Sequence, residues 1–105
     1  MARCKVTVLK RGLNLELAEQ YSNDTVSKCP FFQEGQEFIC SPFEKPQNFC
    51  DWAWNDIYKV VLTLGRGGNF NSEVFANWMK DDKTMVVCCS DGLRPVSFKV
   101  ERIDE

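Results

Sequence analysis

Six cysteines, at positions 4, 29, 40, 50, 88 and 89, and no histidine define the chemistry open to this 105-residue chain. Without imidazole there is no His-based triad, no His general base and no mixed cysteine–histidine zinc site. Proton transfer near neutral pH falls to a perturbed Cys, Asp, Glu or Lys. No cysteine pair has zinc-knuckle spacing and no ferredoxin run occurs, so the fold has to assemble any thiolate site. Cys50 immediately precedes a strongly periodic helix, whose unpaired N–H groups and dipole favour a thiolate, and it is the leading reactive thiol. The competing reading continues the helix's apolar stripe through Cys50 into the core. Cys29 precedes Pro30 in a loop, where it either faces a site or anchors the loop against Phe31 or Phe32. Cys88 and Cys89 are adjacent and point to opposite faces of a regular strand. Both serve one site only through a bulge, which counts against a simple four-thiolate cage. If Asp91-Gly92 is a two-residue hairpin loop, Cys89 faces Arg94 and a guanidinium sits beside a thiol. Alternatively Cys89 shares a core face with Met85, Val87, Val96 and Phe98 while Arg94 reaches outward. Cys4 and Cys40 fall on strand patterns and read as core.

The elements that position these thiols follow from periodicity. Cys4, Val6 and Val8 alternate with Lys5, Thr7 and Lys10, predicting a strand over 4–10 with Leu9 as an exception. Gly12 breaks it, and Asn14 to Tyr21 reads as a short helix capped by Asn14, with Leu15, Leu17, Ala18 and Tyr21 at helical separations. Gln36 to Cys40 reads as a strand, and Ser41 to Asn48, with its two prolines, as a loop. From Asp51 to Leu64 the stripe Ala53, Trp54, Ile57, Val60, Val61, Leu64 predicts a helix, stopped by Gly65-Arg66-Gly67-Gly68. That glycine run follows a helix, whose carbonyl end repels anions, so it is no phosphate loop. A further helix from about Ser72 to Lys80 would be capped by Ser72, with Glu73 complementing its dipole and Phe75, Trp78 and Met79 on one face. Thr84 to Cys89 and Val96 to Arg102 flank the Asp91-Gly92 signal and predict a C-terminal hairpin. The expected architecture is one α+β domain over 1–105: a small, mostly antiparallel sheet of about four strands with two or three helices covering one face.

Composition narrows the partners. Thirteen Lys plus Arg stand against 15 Asp plus Glu, for a net charge of −2. Residues 1–28 carry five bases and three acids, 29–57 one base and five acids, and 58–105 seven of each. No segment forms a basic footprint, which argues against nucleic acid. The pairs Glu16/Glu19 and Asp81/Asp82 read as solvated charge rather than acid–base machinery. The uncharged stretch Val6–Leu9 is far shorter than a secretory signal, and Val60–Leu64 far shorter than a membrane span. The expectation is a soluble cytoplasmic protein, off the membrane, with reduced thiols. By size scaling the chain buries about two-thirds of its unfolded surface and needs no covalent staple. Trp52 lies off the main helical stripe; exposed, it would mark an interface for a second copy or a protein partner.

Several segments together carry a likeness: Val6-Thr7-Val8-Leu9-Lys10-Arg11, Cys29-Pro30 leading to Glu34-Gly35-Gln36-Glu37-Phe38, Phe49-Cys50-Asp51-Trp52-Ala53-Trp54, Gly67-Gly68-Asn69-Phe70, and Cys88-Cys89-Ser90-Asp91-Gly92-Leu93-Arg94-Pro95-Val96. Over nearly its whole length the chain resembles a family of small uncharacterised proteins found mainly in anaerobic bacteria and archaea. The family pattern includes cysteines matching Cys29, Cys50, Cys88 and Cys89 and has no counterpart for Cys4 or Cys40. The resemblance implies a four-thiol set suited to an iron–sulfur cluster or a zinc or other soft-metal site. It brings no activity with it.

Two functions follow as expectations. In the first, Cys50, Cys29 and one or both of Cys88 and Cys89 form a thiolate site that holds a metal or iron–sulfur centre or performs thiol redox chemistry, with Arg94 and Asp91 tuning its charge. In the second, the chain is a binding or interaction module without chemistry, a homodimer or a partner-binding protein, whose cysteines belong to the core. Neither matches an enzyme template.

Overall fold

A computed structural model describes residues 1–23, 26–72 and 76–103. Four strands, β1 (Arg3–Arg11), β2 (Glu37–Cys40), β3 (Thr84–Cys88) and β4 (Val96–Ile103), form one antiparallel sheet in the order β2-β1-β4-β3. Two helices, α1 (Leu15–Tyr21) and α2 (Asp51–Gly65), complete the small α+β fold that the periodicities predict. The alternation along β1 and β4 puts Cys4, Val6, Val8, Val96, Phe98 and Val100 on one face, all buried. The opposite face carries a charged ladder in which Lys5 Nζ lies 3.6 Å from both Glu37 and Glu101. One dry and one wet face is what antiparallel pairing permits.

Helix α2 covers the dry face. Ala53, Ile57, Val60, Val61 and Leu64 are buried against β1, β4 and β3, each of the larger ones contributing about 1.5–3 kcal/mol. The helix ends where the glycine run predicts: Gly67 takes φ +89°, and Arg102 on β4 donates to the Leu64 carbonyl at 3.1 Å. At Gly65 a side chain is excluded, because a Cβ would stand 2.6 Å from Pro42 and 2.9 Å from the Ala2 carbonyl. Helix α1 packs on no strand; of its apolar residues only Ala18 is buried, while Leu15, Leu17 and Tyr21 are exposed. No helix among the described residues is long and apolar enough to cross a membrane.

The structure departs from the sequence reading at three places. Leu9, which broke the alternation, is the extra residue of a β-bulge: Val8 opposes Phe98 and Lys10 opposes Ser97. In place of the helix expected over 72–80, Ser72 and 76–80 form bends and turns, with Asn77 at φ +58°. Asn71 ties this segment together, donating to the Asp81 carbonyl at 3.2 Å and accepting the Met79 N–H at 2.6 Å. Glu73, Val74 and Phe75, the middle of that expected helix, lie outside the described residues. Third, the β3–β4 connection is a loop over 90–95 and not a two-residue turn. Cys88 opposes Ser97 and the Cys89 N–H donates to the Val96 carbonyl at 3.0 Å, so Cys89 faces Val96 instead of Arg94.

Candidate functional site

The three segments that carry Cys29, Cys50 and Cys89 converge at one end of α2. The segment bearing Cys29 is fixed by Arg11, whose Nη1 donates to the Cys29 carbonyl at 3.0 Å while Nε pairs with Glu34 at 2.9 Å. The Glu34 carboxyl is held below its usual range by its own backbone N–H, then by the Arg11 backbone N–H and side chain. Phe32 follows Cys29-Pro30 into the core and is 2% exposed, its ring meeting Phe49 and Phe98 edge-on at centroid distances of 5.1 and 5.2 Å. Its neighbour Phe31 stays half exposed.

Cys50 is the N-cap of α2. Its carbonyl accepts the Trp54 N–H at 2.9 Å, the first bond of the helix, and its side chain makes no capping hydrogen bond. The chain reaches this point through Asn48 at φ +61°, and Lys45 donates to the Phe49 carbonyl at 2.9 Å, holding the approach.

Cys89 sits just beyond β3 with its side chain turned to the dry face, and its sulfur accepts the Val96 N–H at 3.3 Å. The loop after it is built by acceptors. Asp56 on α2 accepts the Ser90 N–H at 2.7 Å, and Asp91 Oδ1 accepts the Leu93 and Arg94 N–H groups at 2.9 and 2.8 Å. Asp91 Oδ2 accepts from Arg94 Nε at 3.4 Å. Burial pushes the Asp91 carboxyl up, but the hydrogen bonds from Arg94 and Leu93 and the Arg94 charge outweigh it, and the carboxyl lies below its ordinary value. On the far side of the loop Asn14, instead of capping α1 with its side chain, donates to the Gly92 carbonyl, and its backbone N–H donates to Leu93.

Together these segments enclose a cavity of about 620 Å³. The thiol-bearing residues Cys29, Cys50 and Cys89 line it, with Trp52, Asp91 and Arg94. Phe31, Phe32, Ala53 and Val96 supply apolar wall. Trp52, 65% exposed, stands at this cavity, as its place off the α2 stripe suggests. The four-thiol set implied by the family resemblance is not assembled. Cys88 is exposed, opposes Ser97 on the charged face of the sheet and lies outside the cavity lining, because β3 stays regular through it. Among the described residues no three His, Cys, Asp or Glu side chains are grouped to hold a metal ion.

Cys4 and Cys40 take the core places the strand patterns predict. They oppose each other across β1 and β2, and the Cys4 thiol donates to the Val61 carbonyl at 3.7 Å. Burial pushes both thiols up, Cys4 with partial relief from the Arg102 charge, and Cys40, with Cys4 beside it, to about 12. Sequence reasoning missed Phe31, Phe32 and Val96 as cavity wall and Asp56 as the loop's anchor. The adjacent aromatics after Cys29-Pro30 were the available signal for the first two, whereas nothing local marks Asp56. Comparison of the chain with family models, curated proteins and solved structures finds no match.

Proposed function

We propose that this is a small thiol-exchange protein that receives a low-molecular-weight disulfide, with Cys50 as the attacking thiolate and Cys29 as the thiol that completes the exchange. The observation that carries the reading is that three of the six cysteines, from three separate segments, line one cavity. The segments around Cys29-Pro30, Cys50–Trp54 and Cys89–Val96 are the ones that meet there. In the first step the Cys50 sulfur attacks one sulfur of RS–SR. That S–S bond breaks, its electron pair leaves with RS⁻, and a Cys50–S–S–R mixed disulfide forms. In the second, the Cys29 thiolate attacks the Cys50 sulfur and expels the remaining RS⁻. Two thiol protons pass to the two RS⁻ groups, the protein is oxidised by two electrons and the small disulfide is reduced to two thiols. Such a cycle needs a compartment that keeps thiols reduced, which the cytoplasm provides.

The test is to add one equivalent of a small disulfide to fully reduced protein and map the products by mass spectrometry. A mixed disulfide at Cys50, or a cross-link between Cys29 and Cys50, is expected. Modification confined to Cys88, with Cys50 untouched, would overturn the reading. A second reading, binding without bond-making, draws on the exposure of Trp52 and Phe31 at the cavity; under it Cys50→Ser would bind the small disulfide as well as the unsubstituted protein.

A further inference from the structure

We infer that the cavity selects its disulfide by charge and shape: the occupant is an anionic, flat apolar disulfide, with a carboxylate on the Arg94 guanidinium and its body between Phe31 and Trp52. This deepens the thiol-exchange reading and rests on it. Arg94 lines the cavity with its Nε held by Asp91, and its two Nη groups have no acceptor among the described residues. A fork fixed at one nitrogen and open at the others is pre-organised for a planar, two-oxygen anion. Asp91 engages the fork at Nε alone, its Oδ2 accepting that group while its Oδ1 accepts the Leu93 and Arg94 backbone N–H groups. Asp56, the other carboxylate beside the loop, accepts the Ser90 N–H. The shape requirement comes from the walls. Phe31 and Trp52 line the cavity yet remain 52% and 65% exposed, while Phe32 and Ala53 below them are closed off at 2% and 1%. Large aromatic faces left open beside an apolar floor are covered by a flat ligand at low entropic cost. The cavity lining therefore brings together an anion fork, two open aromatic faces and a thiol.

Reduced protein is treated in parallel with dithiobis-nitrobenzoate, an aromatic disulfide carrying carboxylates, and with neutral dithiodipyridine. Rates at individual cysteines are read by acid quench and mass spectrometry. Cys88, outside the cavity on the charged sheet face, is the reference within the same molecule. After normalisation to Cys88, Cys50 is expected to prefer the anionic reagent by about tenfold or more, and Arg94→Gln to abolish the preference. In the unsubstituted protein, benzoate is expected to slow dithiodipyridine at Cys50 and not at Cys88, a readout independent of the variant's folding. A preference at Cys50 no greater than at Cys88, one that survives Arg94→Gln, or absence of benzoate protection overturns charge selection. If Cys50 reacts with neither reagent faster than Cys88, the thiol-exchange reading itself fails.

Discussion

Two groups of cysteines, identical in chemistry, occupy opposite kinds of place in this fold. Cys4 and Cys40 face each other inside the sheet–helix core, fully enclosed by Val6, Val61 and their neighbours, and burial keeps their protons on. Cys29 and Cys50, only partly buried, are placed where regular structure stops, in a loop before proline and at the first residue before a helix, whereas Cys89, the residue after a strand, reaches the cavity wall from the core face and is buried like Cys4 and Cys40. Regular strands bury a thiol against a complementary surface, whereas element ends leave space beside it. Reactivity in this molecule is thus decided less by the residue than by whether the backbone around it closes.

The comparison is broken most directly by labelling in denaturant. In native buffer Cys4 and Cys40 are reached only through unfolding, so each should react at least about a thousandfold more slowly than Cys50. All six cysteines should converge above the unfolding midpoint, as read by quenched mass mapping. Native labelling of Cys4 or Cys40 at rates near that of Cys50 would erase the distinction. Next in size are the stability costs. Cys40→Ser buries a hydroxyl in an apolar setting and should cost about 1–3 kcal/mol in urea unfolding. Cys29→Ser, half exposed at the cavity, should stay within about 0.5 kcal/mol. Equal losses would place both residues in one core. A further effect is alkaline. The Cys40 proton is retained up to about 12 in the folded chain against an ordinary value of 9.0, so its contribution to stability is full below 9.0 and is lost as pH rises toward 12. Thermal unfolding should therefore show a fall over that window that is shallower in Cys40→Ala, and an unchanged slope would count against a buried, protonated Cys40.

Much of this division was legible in the sequence, for identifiable reasons. Period-two alternation put Cys4 and Cys40 in the core, and the stripe from Ala53 to Leu64 with its glycine stop placed Cys50 at a helix start to the residue. Those signals are local and repeated. The β3–β4 loop was misread because Asp91-Gly92 is a strong two-residue turn signal, yet Asp91 uses both carboxylate oxygens to build a wider loop and Asp56, distant in sequence, pins it. The pairing slipped by two residues, which preserves the faces, so Cys89 still points inward and Cys88 outward although Arg94 no longer opposes either. The region after Ser72 has helix-like spacing, but Asn71 takes the hydrogen bonds a helix would have made. Side-chain acceptors acting across the chain are what a single sequence hides.

The central claim is that its place at the start of α2 beside the cavity, and not exposure, makes Cys50 the working thiol. It is tested by measuring the pseudo-first-order alkylation rates of Cys50 and Cys88 by iodoacetamide in the same native sample near pH 7. Cys88 is the exposed cysteine and Cys50 only half so. Faster alkylation of Cys50 is the predicted result, whereas a rate at Cys88 equal to or above that of Cys50 would contradict the account.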